Sequence, residues 1–87
     1  MPGVYILKSL KNNSYYIGST NDIERRLKEH ENGMVVYTRK LRPLELKLYQ
    51  ECNSLLEARR LERRVKNLKR RDIIERMITE GKIITGP

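Results

Sequence analysis

The chain contains no phenylalanine and no tryptophan, and it has a single cysteine and a single histidine. Each shortage closes a class of explanation. Cys52 has no partner for an internal disulfide, and one cysteine with one histidine offers no zinc-ligand spacing, so neither staple can hold a small fold together. Cys52 reads instead as a small half-buried residue ahead of a helix, in a chain suited to the reducing cytoplasm. The apolar runs are far too short to cross a bilayer, and Met1 to Leu10 has no apolar stretch followed by a small-residue cleavage site. Tyrosine supplies every aromatic ring, which argues against a membrane-inserting face. At 87 residues the chain is expected to form one domain, residues 1–87, around one hydrophobic core.

Charge is what the sequence has in plenty. Nineteen Lys and Arg against eleven Asp and Glu give a net charge of +8 and a pI near 9.9. Polyanions are the natural partners of such a surface, and nucleic acid leads them because neutralised phosphates release counterions whatever the base sequence.

Gly3-Val4-Tyr5-Ile6-Leu7-Lys8 and Tyr15-Tyr16-Ile17-Gly18 read as two strands joined through Asn12-Asn13, most simply an antiparallel hairpin. Alternation sets Val4 and Ile6 against Tyr5 and Leu7, and Tyr15 and Ile17 against Tyr16; the pairing register stays open. Ser19 to Asp22 offers N-caps for a helix over 23–31 closed by Asn32-Gly33, with Ile23 and Leu27 as its expected core contact. Arg26 and His30, four residues apart, form the neighbouring stripe, and Arg25 is expected to be solvated. Met34 to Arg42 reads as a basic loop. Leu44, Leu46 and Leu48 alternate with polar residues as a half-buried third strand. Ser54 and Glu57 have capping-box spacing, and Ala58, Leu61, Val65 and Leu68 then mark the buried stripe of the longest helix. A last helix from about Asp72 is expected to bury Ile73, Ile74, Met77 and Ile78, with Ile83 and Ile84 in a short tail. The outcome is an α+β fold with the order strand, strand, helix, strand, helix, helix.

Phosphodiester hydrolysis needs a hard cation on oxygen ligands, a cationic group on the phosphate and a base for water. Candidates exist for all three. Glu62 is the acid nearest the buried stripe of a helix otherwise crowded with Lys and Arg, although on spacing alone a surface ion pair with Lys66 is the simpler explanation. Arg26 can grip phosphate bidentately. Tyr5 and Tyr16 are candidate bases, with His30 as a competitor because imidazole titrates near neutrality. Arg39 and Lys40 in the loop, and Arg63, Lys66, Lys69 and Arg70 on the long basic helix, are the candidate nucleic-acid contacts. Spacing alone stops at a small basic domain that binds nucleic acid.

The order Gly3-Val4-Tyr5, Tyr16-Ile17-Gly18, Arg26 and Glu62 resembles the GIY-YIG endonuclease family, with valine in place of the first triplet's isoleucine. It is closest to the small single-domain, excision-nuclease-like members. That resemblance implies a central three-stranded antiparallel sheet flanked by helices. It also implies DNA hydrolysis dependent on Mg²⁺ or Mn²⁺, with a triplet tyrosine assisting the water, Arg26 on the phosphate and Glu62 on the metal. Duplex or branched DNA in repair or recombination is the implied substrate, and a protein partner can supply target choice. The alternative is a catalytically weak nucleic-acid-binding module. Two departures stand out: no asparagine follows Asn67, where several members have a late one, and Ser19 occupies a place where the repair-subunit branch has lysine.

Overall fold

The computed structural model describes residues 1–83, so the expected packing of Ile84 lies outside the described residues. Strands β1 (Gly3–Ser9), β2 (Tyr15–Thr20) and β3 (Leu44–Glu51) form one antiparallel sheet in the order β2-β1-β3. Helix α1 (Ile23–Glu31) and the short α2 (Val36–Arg39) lie between β2 and β3, and α3 (Leu55–Leu68) and α4 (Arg71–Glu80) follow. This is the expected α+β architecture with one addition: four residues of the anticipated basic loop turn into α2.

Central β1 is covered on both faces, and Val4, Tyr5, Ile6 and Leu7 are all essentially inaccessible. One face carries the main core, where Val4, Ile6, Ile17 and Leu48 meet Ala58 and Val65 of α3 and Ile74 and Met77 of α4. Burying such apolar side chains stabilises by about 1.5–3 kcal/mol each. Leu61, Leu68, Ile73, Ile78 and Ile83 pack around its margin.

The other face carries the tyrosines. Tyr5 stands opposite Gly18 and Leu7 opposite Tyr16, so the register puts Tyr5 and Tyr16 diagonally on one face. Their ring centroids are 6.3 Å apart. α1 closes this face with His30, its one buried residue, while Ile23 and Leu27 are only half-buried. The expected aliphatic contact is thus replaced by an imidazole, because Tyr5 presents a polar hydroxyl there.

The third strand departs from simple alternation. Ile6 pairs with Leu48 but Leu7 pairs with Leu46, leaving Lys47 as an extra residue in β3. Such a bulge turns the strand over, so Leu46 shares the face of Leu7 and is exposed, while Leu48 alone enters the main core. Three leucines on one face were expected from the spacing; the inserted residue breaks the period.

The caps fix where the site-bearing helices start. Asp22 accepts from the Arg25 amide at 3.1 Å to open α1, and Ser54 accepts from the Glu57 amide at 3.1 Å to open α3. The return half of the expected capping box is displaced by one residue, since Glu57 accepts from the Asn53 amide, not that of Ser54. α3 ends at Leu68, and Lys69 takes a left-handed turn (φ 49°) that swings the chain into α4.

Candidate active site

Tyr5 is the hub. Its hydroxyl accepts from Arg26 Nε at 3.3 Å and lies 3.0 Å from His30 Nε2. His30 Nδ1 in turn lies 2.7 Å from Thr38 Oγ1, which is 3.4 Å from the Val35 carbonyl. The Val35 carbonyl only accepts, so when the Thr38 hydroxyl donates to it that hydroxyl accepts from His30 Nδ1–H, and Nε2 is then the acceptor of the Tyr5 hydrogen. Arg26 and His30 meet Tyr5 because four residues on a helix bring two side chains to one spot.

Burial sets the electrostatics of this chain. Desolvation, reinforced by the Arg26 guanidinium, lowers the His30 pKa to about 4, so the ring is neutral at pH 7. Burial likewise raises the Tyr5 phenol above its usual value, with the Arg26 hydrogen bond opposing and the charge of Glu62 reinforcing the rise. Arg26 is held firmly protonated by Tyr5 and by Glu29, whose carboxylate lies 2.9 Å from Nη1.

Space for the Tyr5 ring comes from Gly18. A Cβ at that position would lie 2.4 Å from the Tyr5 hydroxyl and 2.5 Å from Cζ. Gly3 does the same for Tyr49, whose ring would meet a Cβ there at 2.6 Å. The glycine of each triplet is therefore the bed of a tyrosine ring from a neighbouring strand.

Glu62 reaches the sheet from α3 at the open edge of β2. Its carboxylate accepts a short hydrogen bond from the Ser19 hydroxyl and pairs with Lys66 Nζ at 2.5 Å. Only 19% of the Glu62 side chain is exposed, so this is a held carboxylate and not a loose surface acid. Ser19, Arg59, Arg63, Lys66 and Asn67 line a cleft with it. A second cleft contains Arg26 with Ser19, Asn21 and Arg59. The two clefts share Ser19 and Arg59, so the Arg26 guanidinium and the Glu62 carboxylate flank one continuous basic rim.

Among the described residues no three His, Cys, Asp or Glu side chains gather into a metal cluster. The donors around Glu62 are nevertheless oxygens, a carboxylate with a hydroxyl beside it, which is the chemistry of a hard divalent cation completed by water and phosphate oxygens. Lys66 neutralises that carboxylate at rest.

The other nominated residues are more dispersed. Tyr16 is half-buried, packed edge-on to His30 at 5.4 Å, with Lys66 Nζ 6.0 Å from its ring centre. Arg63 and Lys66 line the Glu62 cleft. Arg39 and Lys40 line a separate basic cleft with Lys11 and Arg42, and Arg39 Nε is tied to the Gly33 carbonyl at 2.8 Å. Lys69 and Arg70 sit at the α3–α4 turn, where Arg70 is paired with Asp72 at 2.7 Å. Two residues that touch the centre were not nominated from sequence. Ser19 had a positional signal, immediately after the second triplet; Thr38 had none, since its role depends on α2 packing against α1.

Comparison with known proteins identifies the family. The UPF0213 protein BH0048 of Halalkalibacterium halodurans is 44% identical over 69 residues, 78% of this chain and 72% of that one. The UPF0213 protein SSP2268 of Staphylococcus saprophyticus is 38% identical over 80 residues, covering 90% of this chain and 94% of its own. The solution NMR structure of the UPF0213 protein BH0048 from Bacillus halodurans superposes with a TM-score of 0.55 at 34% identity, over 93% of this chain and 87% of that one. Residues 1–76 match the family model of the GIY-YIG catalytic domain. The chain therefore belongs to the GIY-YIG family, whose catalytic domain is a nuclease domain.

Proposed function

We propose that this chain is a divalent-cation-dependent DNA endonuclease that selects its substrate by structure, and that it acts in repair or recombination. The observation that carries the reading is the convergence of Arg26 and His30 on the Tyr5 hydroxyl, beside a held Glu62 carboxylate on the same basic rim. Glu62, with Ser19 next to it, would hold Mg²⁺ or Mn²⁺. Such a cation supplies Lewis-acid stabilisation of the charge that builds on the phosphate.

The remaining roles belong to the chain itself. Arg26, held by Tyr5 and Glu29, turns its guanidinium to a non-bridging phosphate oxygen. Water attacks phosphorus, a P–O bond to the attacking oxygen forms, and the bond to the 3′-oxygen breaks; the leaving oxygen takes a proton from solvent, giving 3′-hydroxyl and 5′-phosphate ends. The water proton passes to the Tyr5 oxygen as the phenol proton passes to His30 Nε2. With His30 neutral and its Nδ1–H donated to Thr38, the Nε2 lone pair faces Tyr5. Tyr16 and Lys66 wall the site. Arg63, with Arg39, Lys40, Lys69 and Arg70 further out, contacts the DNA backbone.

Duplex, nicked, flapped and single-stranded DNA incubated with Mg²⁺ or Mn²⁺ provides the test. Cleavage should fall at least about 10²-fold in Glu62→Gln and cease in EDTA, the loss expected for one electrostatic stabiliser. Cleavage that survives both would refute the proposal. A second reading is supported by the 2.5 Å Lys66–Glu62 pair, which occupies the carboxylate as a plain structural ion pair would. On that reading the chain binds DNA without cutting it, and Glu62→Gln changes neither binding nor any residual cleavage.

A further inference from the structure

Next to the Glu62 cleft lies another, lined by Tyr15, Tyr16, Ile17, Tyr37 and Lys66, of which the hydrolysis scheme uses only the Tyr16 and Lys66 wall. Lys66 is common to both clefts. The outer wall is Tyr37, a ring 71% exposed, whose chain neighbours Val36 and Met34 are exposed to 74% and 66%. Three large apolar side chains within four residues stand open together, whereas the other exposed ones, such as Leu10 and Leu56, stand apart in the sequence. Scattered exposed hydrophobes are ordinary, but a cluster beside a reactive centre marks a contact surface.

Its chemistry is specific. The Tyr37 and Tyr16 rings are 5.6 Å apart at 36°, a tilted pair open to solvent on the Tyr37 side. Tyr15 takes no part as a stacking face, because Arg71 lies 4.7 Å over its ring. What remains is the accessible π-face of Tyr37, with the Lys66 ammonium on the neighbouring Tyr16 ring at 6.0 Å and phosphate-seeking cations next door. Aromatic faces beside a cationic groove are how nucleic-acid-binding surfaces hold single strands, since every base has a flat face and every linkage a negative charge. A base inside a duplex has both faces covered by its neighbours and cannot lie on Tyr37.

We propose that the exposed face of Tyr37, at the mouth of the cleft it lines with Tyr16, is a stacking site for one unpaired nucleobase of DNA, next to the scissile phosphate. The shared Lys66 wall sets the base of one nucleotide beside the phosphate handled by Glu62 and Arg26. The inference rests on the endonuclease reading and narrows it: the substrate is a single strand, flap or frayed end in preference to intact duplex.

The test is equilibrium binding of the full chain, without divalent cation, to a single-stranded oligonucleotide containing 2-aminopurine and to the fully paired duplex of the same sequence. The single strand should bind more tightly and its 2-aminopurine fluorescence should be quenched. Tyr37→Ala should weaken single-strand binding about tenfold and abolish the quenching while leaving duplex binding unchanged, and Tyr37→Phe should behave as wild type. Tyr37 is exposed, so the substitution leaves the core intact, which circular dichroism verifies. Equal weakening of both ligands, or no weakening of either, overturns the stacking site. Failure to bind any DNA overturns the endonuclease reading as well, whereas lost cleavage in Glu62→Gln with the Tyr37 effect absent overturns the stacking site alone.

Discussion

His30 is a buried, neutral imidazole with both nitrogens occupied, and this has a cost that depends on pH. In the unfolded chain it takes a proton near pH 6.5, but in the fold only near pH 4. Between those values the unfolded state binds more protons, so stability falls as pH falls, by about 3 kcal/mol at most for a shift of this size. Urea denaturation at pH 7 and pH 4.5 should show that loss in the wild type. His30→Gln, which keeps a polar partner for Tyr5 and does not titrate, should flatten most of it; an equal loss in both proteins would mean that other groups carry the dependence. The residues of this centre were unequally legible. Arg26 and His30 could be paired because helical periodicity is a local property of sequence, and Glu62 stood out as the acid nearest the buried stripe of a helix crowded with cations. Thr38 and Ser19 were not found, since a hydroxyl declares its role only when a distant segment brings it a partner.

At the level of elements, the strand pair works because a side chain is missing. Gly18→Ala would drive a methyl group to within 2.4 Å of the Tyr5 hydroxyl, and Tyr5 is fully buried with nowhere to retreat. Overpacking of this kind costs about 1–3 kcal/mol. The expected outcome is a lower denaturation midpoint together with loss of cleavage, because the ring that Arg26 and His30 hold is displaced. Unchanged stability would show that the sheet yields at β2. Here too the sequence was legible in part. The bounds of α1 and the start of α3 could be read from their caps, Asp22 and Ser54. Helix α2 could not, since four residues with a β-branched start carry no periodic signal. The bulge at Lys47 was equally hidden: the leucine alternation is perfect on paper, and only pairing with β1 shows one residue too many.

For the whole molecule the dominant property is charge. The +8 surface concentrates cations at the Glu62 rim and at the Arg39–Lys40 cleft, so DNA binding should weaken steeply with salt. Contact with roughly five phosphates corresponds to a slope of about −4 to −5 in log K against log salt. Anisotropy titrations between low and physiological salt measure it, and a slope near zero would contradict a backbone-binding surface. Among the described residues no helix is long and apolar enough to cross a membrane.

The two glycines that frame the family pattern now carry a different meaning. Each is the imprint of a ring, Tyr5 pressed on Gly18 and Tyr49 pressed on Gly3, and neither carries a side chain that could take part in the chemistry. A descendant that lost Glu62 or Arg26 could keep both triplets intact for as long as those rings stayed in the sheet. The triplets are thus a signature of packing, and the nuclease reading of a chain that displays them rests on the arginine and the carboxylate alongside.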